Sequence, residues 1–295
     1  MISIVINSFN ESATIGKSIE SIIHQHIKYD YELIISTPDD ETVKIVQAYQ
    51  KKNKRIKIFR DPGKGKSYAI NLLLPRLKGN ILIFTDGDVY LSDNAINQVV
   101  EVFNDLQIGC VTGRPVPQEN KNSQYGFWAH FLFDAAHKMR KQLSENGKFF
   151  ECSGYLEAFR NGVITRFPLH AGEDTVIPHM FWERGYRIGY AEEALVFVKN
   201  VNNWSDWIKQ KTRTTKSHET LKRYVDLRKS PRTKTFFNEA KGLRYFFSYP
   251  RSLQEYYWMH KLVLARLYLW MQVLYETRIV NKQYTDNWER VNSTK

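Results

Sequence analysis

With 295 residues, 42 % of them hydrophobic and 14 % aromatic, the chain suffices for one large domain or a domain plus an appendage. Its two cysteines, Cys110 and Cys152, exclude a disulfide framework and a cysteine metal cluster and point to a reducing compartment. The net charge of +12 is confined to the last third: residues 1–198 balance 23 Lys and Arg against 23 Asp and Glu, whereas residues 199–295 hold 20 against 8. That asymmetry points to an anionic partner, whether nucleic acid, a phospholipid surface or a phosphorylated substrate.

The chain opens in a strand-like run, ISIVINSF, with no basic start or cleavage site, so no signal peptide and a cytoplasmic site of action are expected. An amphipathic run follows from Glu11, with Ile15, Ile19, Ile22 and Ile23 on one helical face. YELIIS then precedes DDETVKIVQAYQKK, RIKIF precedes KSYAINLLLPRL, and NILIFT precedes SDNAINQVVEVF, where Ser92 is the expected helix cap. Four successive β-then-α units predict an α/β fold with a mainly parallel sheet and helices on both faces. Further strands are expected over 108–113, 150–159 and 187–198, and an apolar-periodic helix just after Glu173-Asp174, ending near Gly185. In such sheets ligands bind beyond the carboxyl ends of the strands. Asn7-Ser8-Phe9-Asn10, Ser36-Thr37-Pro38-Asp39 and Asp86-Gly87-Asp88 all fall there.

Four stretches carry candidate chemistry. In an extended Asp86-Gly87-Asp88 both carboxylates face one way and can share a hard divalent cation; the alternative is a solvated turn. DPGKGKSYAINLLL, with Lys64 and Lys66, is a basic Gly-rich loop. It is neither a P-loop, since Arg60 stands where that pattern needs Gly, nor a dinucleotide fingerprint, since Tyr68 replaces the third Gly. Glu173 and Asp174 precede an apolar helix; acids suit a helix N-terminus, and a carboxylate there can also act as a general base. In WIKQKTRTTKSH, Gln210 and Arg213 share a helical face suited to a hydroxyl and a phosphate, and His218 is a candidate metal ligand, against the plainer reading of a solvated face.

In order, these pieces resemble family 2 glycosyltransferases of the GT-A fold. The resemblance rests on Ser8-Phe9-Asn10-Glu11 after the first strand, Gly63-Lys64-Gly65 with Ala69-Ile70-Asn71, and the Asp-x-Asp at Asp86 and Asp88. It continues through Ser153-Gly154-Tyr155-Leu156-Glu157-Ala158-Phe159-Arg160, Glu173-Asp174 with Arg184-Gly185-Tyr186, and a partial Gln-x-x-Arg-Trp at Gln210 to Thr214. It covers residues 2 to about 215. The resemblance implies a Rossmann-like, mixed but mainly parallel sheet with a basic helical C-terminal extension. It implies inverting transfer from a UDP- or GDP-sugar to an acceptor hydroxyl or phosphate, lipid-linked or on a cell-surface glycan. Asp86 and Asp88 would hold Mg²⁺ or Mn²⁺ and the donor, Asp174 would be the base beside Glu173, and Ser8, Asn10, Glu11, Asp39, Lys64, Lys66, Gln210 and Arg213 would contact the donor. Two departures stand out: STPDDET replaces the usual Asp-Asp-Gly-Ser, with Asp39 as the substitute acid, and Thr214 replaces the Trp that processive synthases carry.

Residues 1–200 are thus expected to form the nucleotide-sugar-binding catalytic domain, and 201–295 a basic, aromatic, helical region on the acceptor side. Within it YYWMHKLVLARLYLWMQVLY, residues 256–275, is broken by Lys261 and Arg266 and is not a membrane span. Glu255, Lys261, Arg266, Gln272 and Glu276 fall in one arc of about 140° at ~100° per residue, which leaves a wide apolar surface to cover. Packing against the domain or a second subunit is one reading, and an in-plane membrane helix serving a lipid-linked acceptor is the other. The rivals are a sugar-phosphate nucleotidyltransferase, disfavoured because Asn7 to Asn10 lack glycine, and a non-catalytic nucleotide-sugar- or lipid-binding protein. Nucleic acid is not expected as a partner.

Overall fold

The computed structural model describes residues 1–169, 171–233, 235, 238 and 244–280. Residues 281–295 of the expected C-terminal region lie outside the described residues. The sheet order is β3-β2-β1-β4-β7-β6-β8-β5. The strands are β1 Ile2–Asn7, β2 Tyr31–Thr37, β3 Ile56–Arg60, β4 Ile81–Asp86, β5 Val89–Leu91, β6 Ile108–Pro117, β7 Leu156–Arg160 and β8 Arg187–Val198. β1 pairs in parallel with β2 and β4, β2 with β3, and β6 with β8, while β7 runs antiparallel between β4 and β6. β1 and β4 are largely buried on both faces because helices cover both, as central parallel strands require.

The expected βα units form: α1 Ile15–Ile23, α2 Asp40–Lys52, α3 Lys66–Leu73 and α4 Ala95–Val102. Pro75 tightens the end of α3 into a 3-10 turn, Leu74–Arg76. Three expectations shift. Asn94 occupies the cap position of α4, and Ser92 instead receives a hydrogen bond from the Leu195 amide at 3.1 Å. β7 begins at Leu156 and not at residue 150, because the segment before it leaves the sheet to line a cleft. Asp86-Gly87-Asp88 is not extended: β4 ends at Asp86, and Gly87 and Asp88 turn the chain into β5.

Then come α5 Gln124–Glu145, α6 Glu173–Glu183, α7 Trp204–Thr220, α8 Arg244–Ser248 and α9 Leu253–Leu274. The long helix α5 has no counterpart among the elements expected from the sequence. One cluster packs beneath the sheet around Ile4, Ile19 and Ile35, and a second above it around Val5, Phe84 and Phe159. A third, around Phe127, Trp128, Trp207 and Met259, joins α5, α7 and α9. The C-terminal helices are thereby fixed over the carboxyl ends of the strands.

Candidate active site

Asn7 and Asp86 end adjacent parallel strands in register. Gly87 donates its amide to the Asn7 carbonyl at 2.9 Å, which closes the turn against β1. A Cβ on Gly87 would collide with Glu11 Oε2 and lie 2.8 Å from Ser8 Oγ, so glycine is what allows the β1 loop to pack under the two aspartates. Asn10 has a left-handed backbone with φ 54°. Asp39 holds it there by accepting the Asn10 amide at 2.7 Å, and it also accepts Thr37 Oγ1 and the Thr42 amide. Burial alone would raise the Asp39 carboxyl, but these hydrogen bonds outweigh it and keep the group below its usual range.

Of the two loop lysines, Lys66 enters the site. Its Nζ lies 2.6 Å from Asp86 Oδ1 and 2.7 Å from Glu173 Oε1. Burial opposes its charge, but the two carboxylates outweigh burial and raise it well above the ordinary lysine value. Lys64 instead sits over the Tyr68 ring, 5.5 Å from its centroid. Helix α3 also fixes the segment that delivers the second acidic pair. Asn71 exchanges two hydrogen bonds with the Phe167 backbone, at 3.0 and 2.7 Å, and Ser67 donates to the Ala171 carbonyl at 3.0 Å.

Glu173 and Asp174 open α6. Asp174 accepts the Gly154 amide at 3.3 Å and the Thr175 hydroxyl at 3.2 Å. A Cβ on Gly154 would stand 3.2 Å from the Asp174 side chain, so this glycine keeps the approach open. Burial, then the Glu173 charge, raise the Asp174 carboxyl; His218 and Lys66 partly counter them. Asp86 is pushed up to about 6, again by burial first, with Lys66 lowering it and Asp88 raising it. Tyr155 faces the same carboxylates, and its phenol is raised by burial and then by Asp88 and Asp86.

Lys66, Asp86, Asp88, Glu173, Asp174, Asn10, Glu11, Gln210, Arg213 and His218 all line one cleft of about 1380 Å³. Ser8, Asp39 and Lys64 do not line it; Ser8 is buried beneath the turn. His218 turns to Glu151, with Nδ1 3.3 Å from Oε2. Glu151 also accepts Thr233 Oγ1 at 2.6 Å and has His179 Nε2 3.6 Å from its other oxygen. Burial would raise Glu151, but His218, His179 and Thr233 outweigh it and hold it well below the usual range. Asp86, Asp88 and His218 do not converge as one ligand set. Among the described residues the trio of potential ligand atoms within 4.8 Å of one another is Cys110, Cys152 and Glu157. Burial raises both the Cys110 thiol and the Glu157 carboxyl, and the two sulfurs lie 3.5 Å apart.

The aspartate pair nonetheless fits a hard cation. Asp86 and Asp88 both line the cleft and offer carboxylate oxygens, the donors a hard divalent cation takes. Beside them, both polar atoms of the buried Asn7 amide and the Ser8 hydroxyl have no hydrogen-bond partner among the described residues.

Residues 3–166 match the profile of Glycosyl transferase family 2, more than half of the chain and including the turn that carries the aspartate pair. The chain belongs to that family. Among curated relatives, the O-antigen chain rhamnosyltransferase RfbN of Salmonella typhimurium is 27 % identical over 208 residues, 66 % of this chain and 65 % of that protein. An N-acetylglucosaminyltransferase of Azorhizobium caulinodans is 21 % identical over 238 residues, 73 % and 59 % of the respective lengths. The chain thus spans less than two thirds of these relatives. Among solved structures, the mannosyltransferase PcManGT from Pyrobaculum calidifontis, in complex with GDP-Man and Mn²⁺, superposes with a TM-score of 0.67 at 17 % identity, covering 96 % of this chain and 88 % of that one. TarS 1-349 of S. aureus, in complex with UDP-GlcNAc, gives 0.50 at 14 % identity, over 73 % and 65 % of the two chains. The family 2 chain therefore has the GT-A fold.

Proposed function

We propose that this family 2 glycosyltransferase transfers a sugar from a UDP- or GDP-sugar to an acceptor hydroxyl or phosphate with inversion. The observation that carries the reading is the meeting of Asp86, Lys66, Glu173 and Asp174 in one cleft, bridged by the buried ammonium. Asn10, Glu11, Gln210 and Arg213 line that cleft on the donor's side of the reading. Residues 1–200 form the donor and catalytic body, and residues 201–295 the acceptor side. The GDP-Man and UDP-GlcNAc of the structural neighbours support such a donor, and the Mn²⁺ of one supports a metal.

Asp174 accepts the proton of the acceptor hydroxyl as its oxygen bonds to the anomeric carbon. The bond from that carbon to the diphosphate breaks, and the nucleoside diphosphate leaves on the opposite face, so configuration inverts. Lys66 and Glu173 tie Asp86 to the start of α6, where Asp174 sits. Asp86 and Asp88 would hold the Mg²⁺ or Mn²⁺, which supplies neutralising charge for the diphosphate.

Helices α5 and α9 add apolar side chains to the cleft lining, among them Phe131, Leu132, Met139, Leu262, Val263 and Trp270, beside the basic Lys138, Arg140 and Arg266. This supports a lipid-linked acceptor and a peripheral station at the cytoplasmic membrane face. The experiment is donor hydrolysis across UDP- and GDP-sugars with and without Mn²⁺. Turnover of one donor, abolished by EDTA, is expected; saturable nucleotide-sugar binding without turnover of any donor would favour the non-catalytic binding protein.

A further inference from the structure

Several polar residues of α9 and of the turn after it bond to the protein beside the buried Met259, Leu262, Leu269 and Val273, while Gln254 and His260 stay exposed. Lys261 donates to Gln124 of α5 at 3.2 Å, Glu276 pairs with Lys216 of α7, and Gln272 donates to Glu276 at 3.0 Å. Glu255 is likewise engaged, accepting the Arg251 amide at 2.6 Å. The outer face is apolar and bare: Leu253, Tyr257, Leu264, Tyr268, Met271 and Tyr275 are all exposed, Leu264 by 66 % and Met271 by 63 %. At ~100° per residue these six fall within about 60° of arc. Trp204 of α7 extends the stripe, its ring 5.8 Å from that of Tyr268.

We propose that this outer face of α9 lies in the plane of an anionic lipid bilayer. Three observations select that occupant. The apolar residues form a stripe along one side of α9, the pattern of a helix that lies in an interface; no helix among the described residues is long and apolar enough to cross a membrane. Tyr257, Tyr268, Tyr275 and Trp204 combine apolar rings with polar tips, as residues at the headgroup level do. Exposed Arg251 and Arg278 stand at the two ends of the stripe, within a third of the chain that holds 20 basic against 8 acidic residues. Anionic headgroups complement that charge, whereas a second copy of the chain would bring like charges together. Leu267 is both exposed beside the stripe and part of the cleft lining, so the cleft opens at the proposed bilayer surface. The docking face deepens the lipid-linked acceptor reading and rests on it for the use of the surface, but not for its existence.

The test is flotation of the full chain with phosphatidylcholine vesicles, with and without about 30 mol % phosphatidylglycerol as the probe, alongside the double variant Leu264→Gln, Met271→Gln. Neither residue lines the cleft. Binding to the anionic vesicles, weakened by salt and reduced about tenfold or more in the variant, is expected. Circular dichroism of the variant, and donor hydrolysis without vesicles, should match the parent. Equal binding by parent and variant would overturn the proposal, as would no binding together with a concentration-dependent dimer that the variant abolishes. Vesicle binding without donor turnover would leave the docking face standing and remove the catalytic reading; turnover without vesicle binding would do the reverse.

Discussion

Replacing Lys66 by Met removes the one ammonium placed between Asp86 and Glu173 while keeping most of the side chain's length. Lys66 and Glu173 side chains are only 12 % and 11 % exposed, so water cannot take over the lost contacts. Removing one partner of a buried ion pair costs about 3–5 kcal/mol. Asp86 is 25 % exposed and already titrates near 6, so it can take up a proton, and the lower end, about 3 kcal/mol at pH 8, is expected. The sign of the pH dependence follows. Loss of Lys66 raises the folded-state carboxyl further above its unfolded value, so the variant's deficit grows as pH rises through that range and shrinks toward pH 5. Urea unfolding at pH 5 and pH 8 measures this, with a midpoint lowered by about 1 M at pH 8 for a slope of ~3 kcal/mol/M. Mn²⁺ should restore part of the loss. A midpoint equal to the parent's at pH 8, or a deficit larger at pH 5 than at pH 8, would refute the ion-pair account.

Asp88→Ala should abolish donor turnover and weaken nucleotide binding in Mg²⁺ or Mn²⁺, and parent activity that persists in excess EDTA would contradict the metal assignment. Gly87→Ala should destabilise the fold by about 1–3 kcal/mol through overpacking against Glu11 and Ser8; thermal unfolding reads the shift. The acidic limb of the transfer–pH profile should lie above the ordinary aspartate range, because Asp174 must be ionised to accept a proton and burial with Glu173 raises it. Activity undiminished down to about pH 4, the ordinary aspartate range, would refute that.

The βα half of the fold was legible because β1, β2 and β4 are continuous apolar runs closed by polar residues. Asp86 could be placed at the cleft from its position at the end of such a run, and Asp174 from its position before an apolar helix, whereas Asp39, chosen on the same ground as Asp86, does not line the cleft. Helix α5 was not legible: beyond Ala129 its residues are largely half-buried along a cleft, so no clean division into apolar and polar faces marks it. The choice of Lys66 over Lys64 depends on which side of α3 meets Glu173, a contact between residues far apart in sequence. The engagement of His218 by Glu151 is equally non-local, since the two residues come from α7 and the segment before β7. For α9, the polar arc was visible on a helical wheel, but its bonds to α5 and α7 join residues far apart in sequence and were not.

Asp174 as the proton acceptor, with Asp86 and Asp88 holding the donor, is best probed by comparing donor affinity and single-turnover transfer in Asp174→Asn and Glu173→Gln. Asp174→Asn keeps size and hydrogen-bonding reach but removes the proton acceptor, so transfer should fall by about 10²–10⁴-fold with donor affinity near that of the parent, and Glu173→Gln should cost less. Near-normal transfer in Asp174→Asn with collapse in Glu173→Gln, or loss of donor binding in Asp174→Asn, would contradict the assignment.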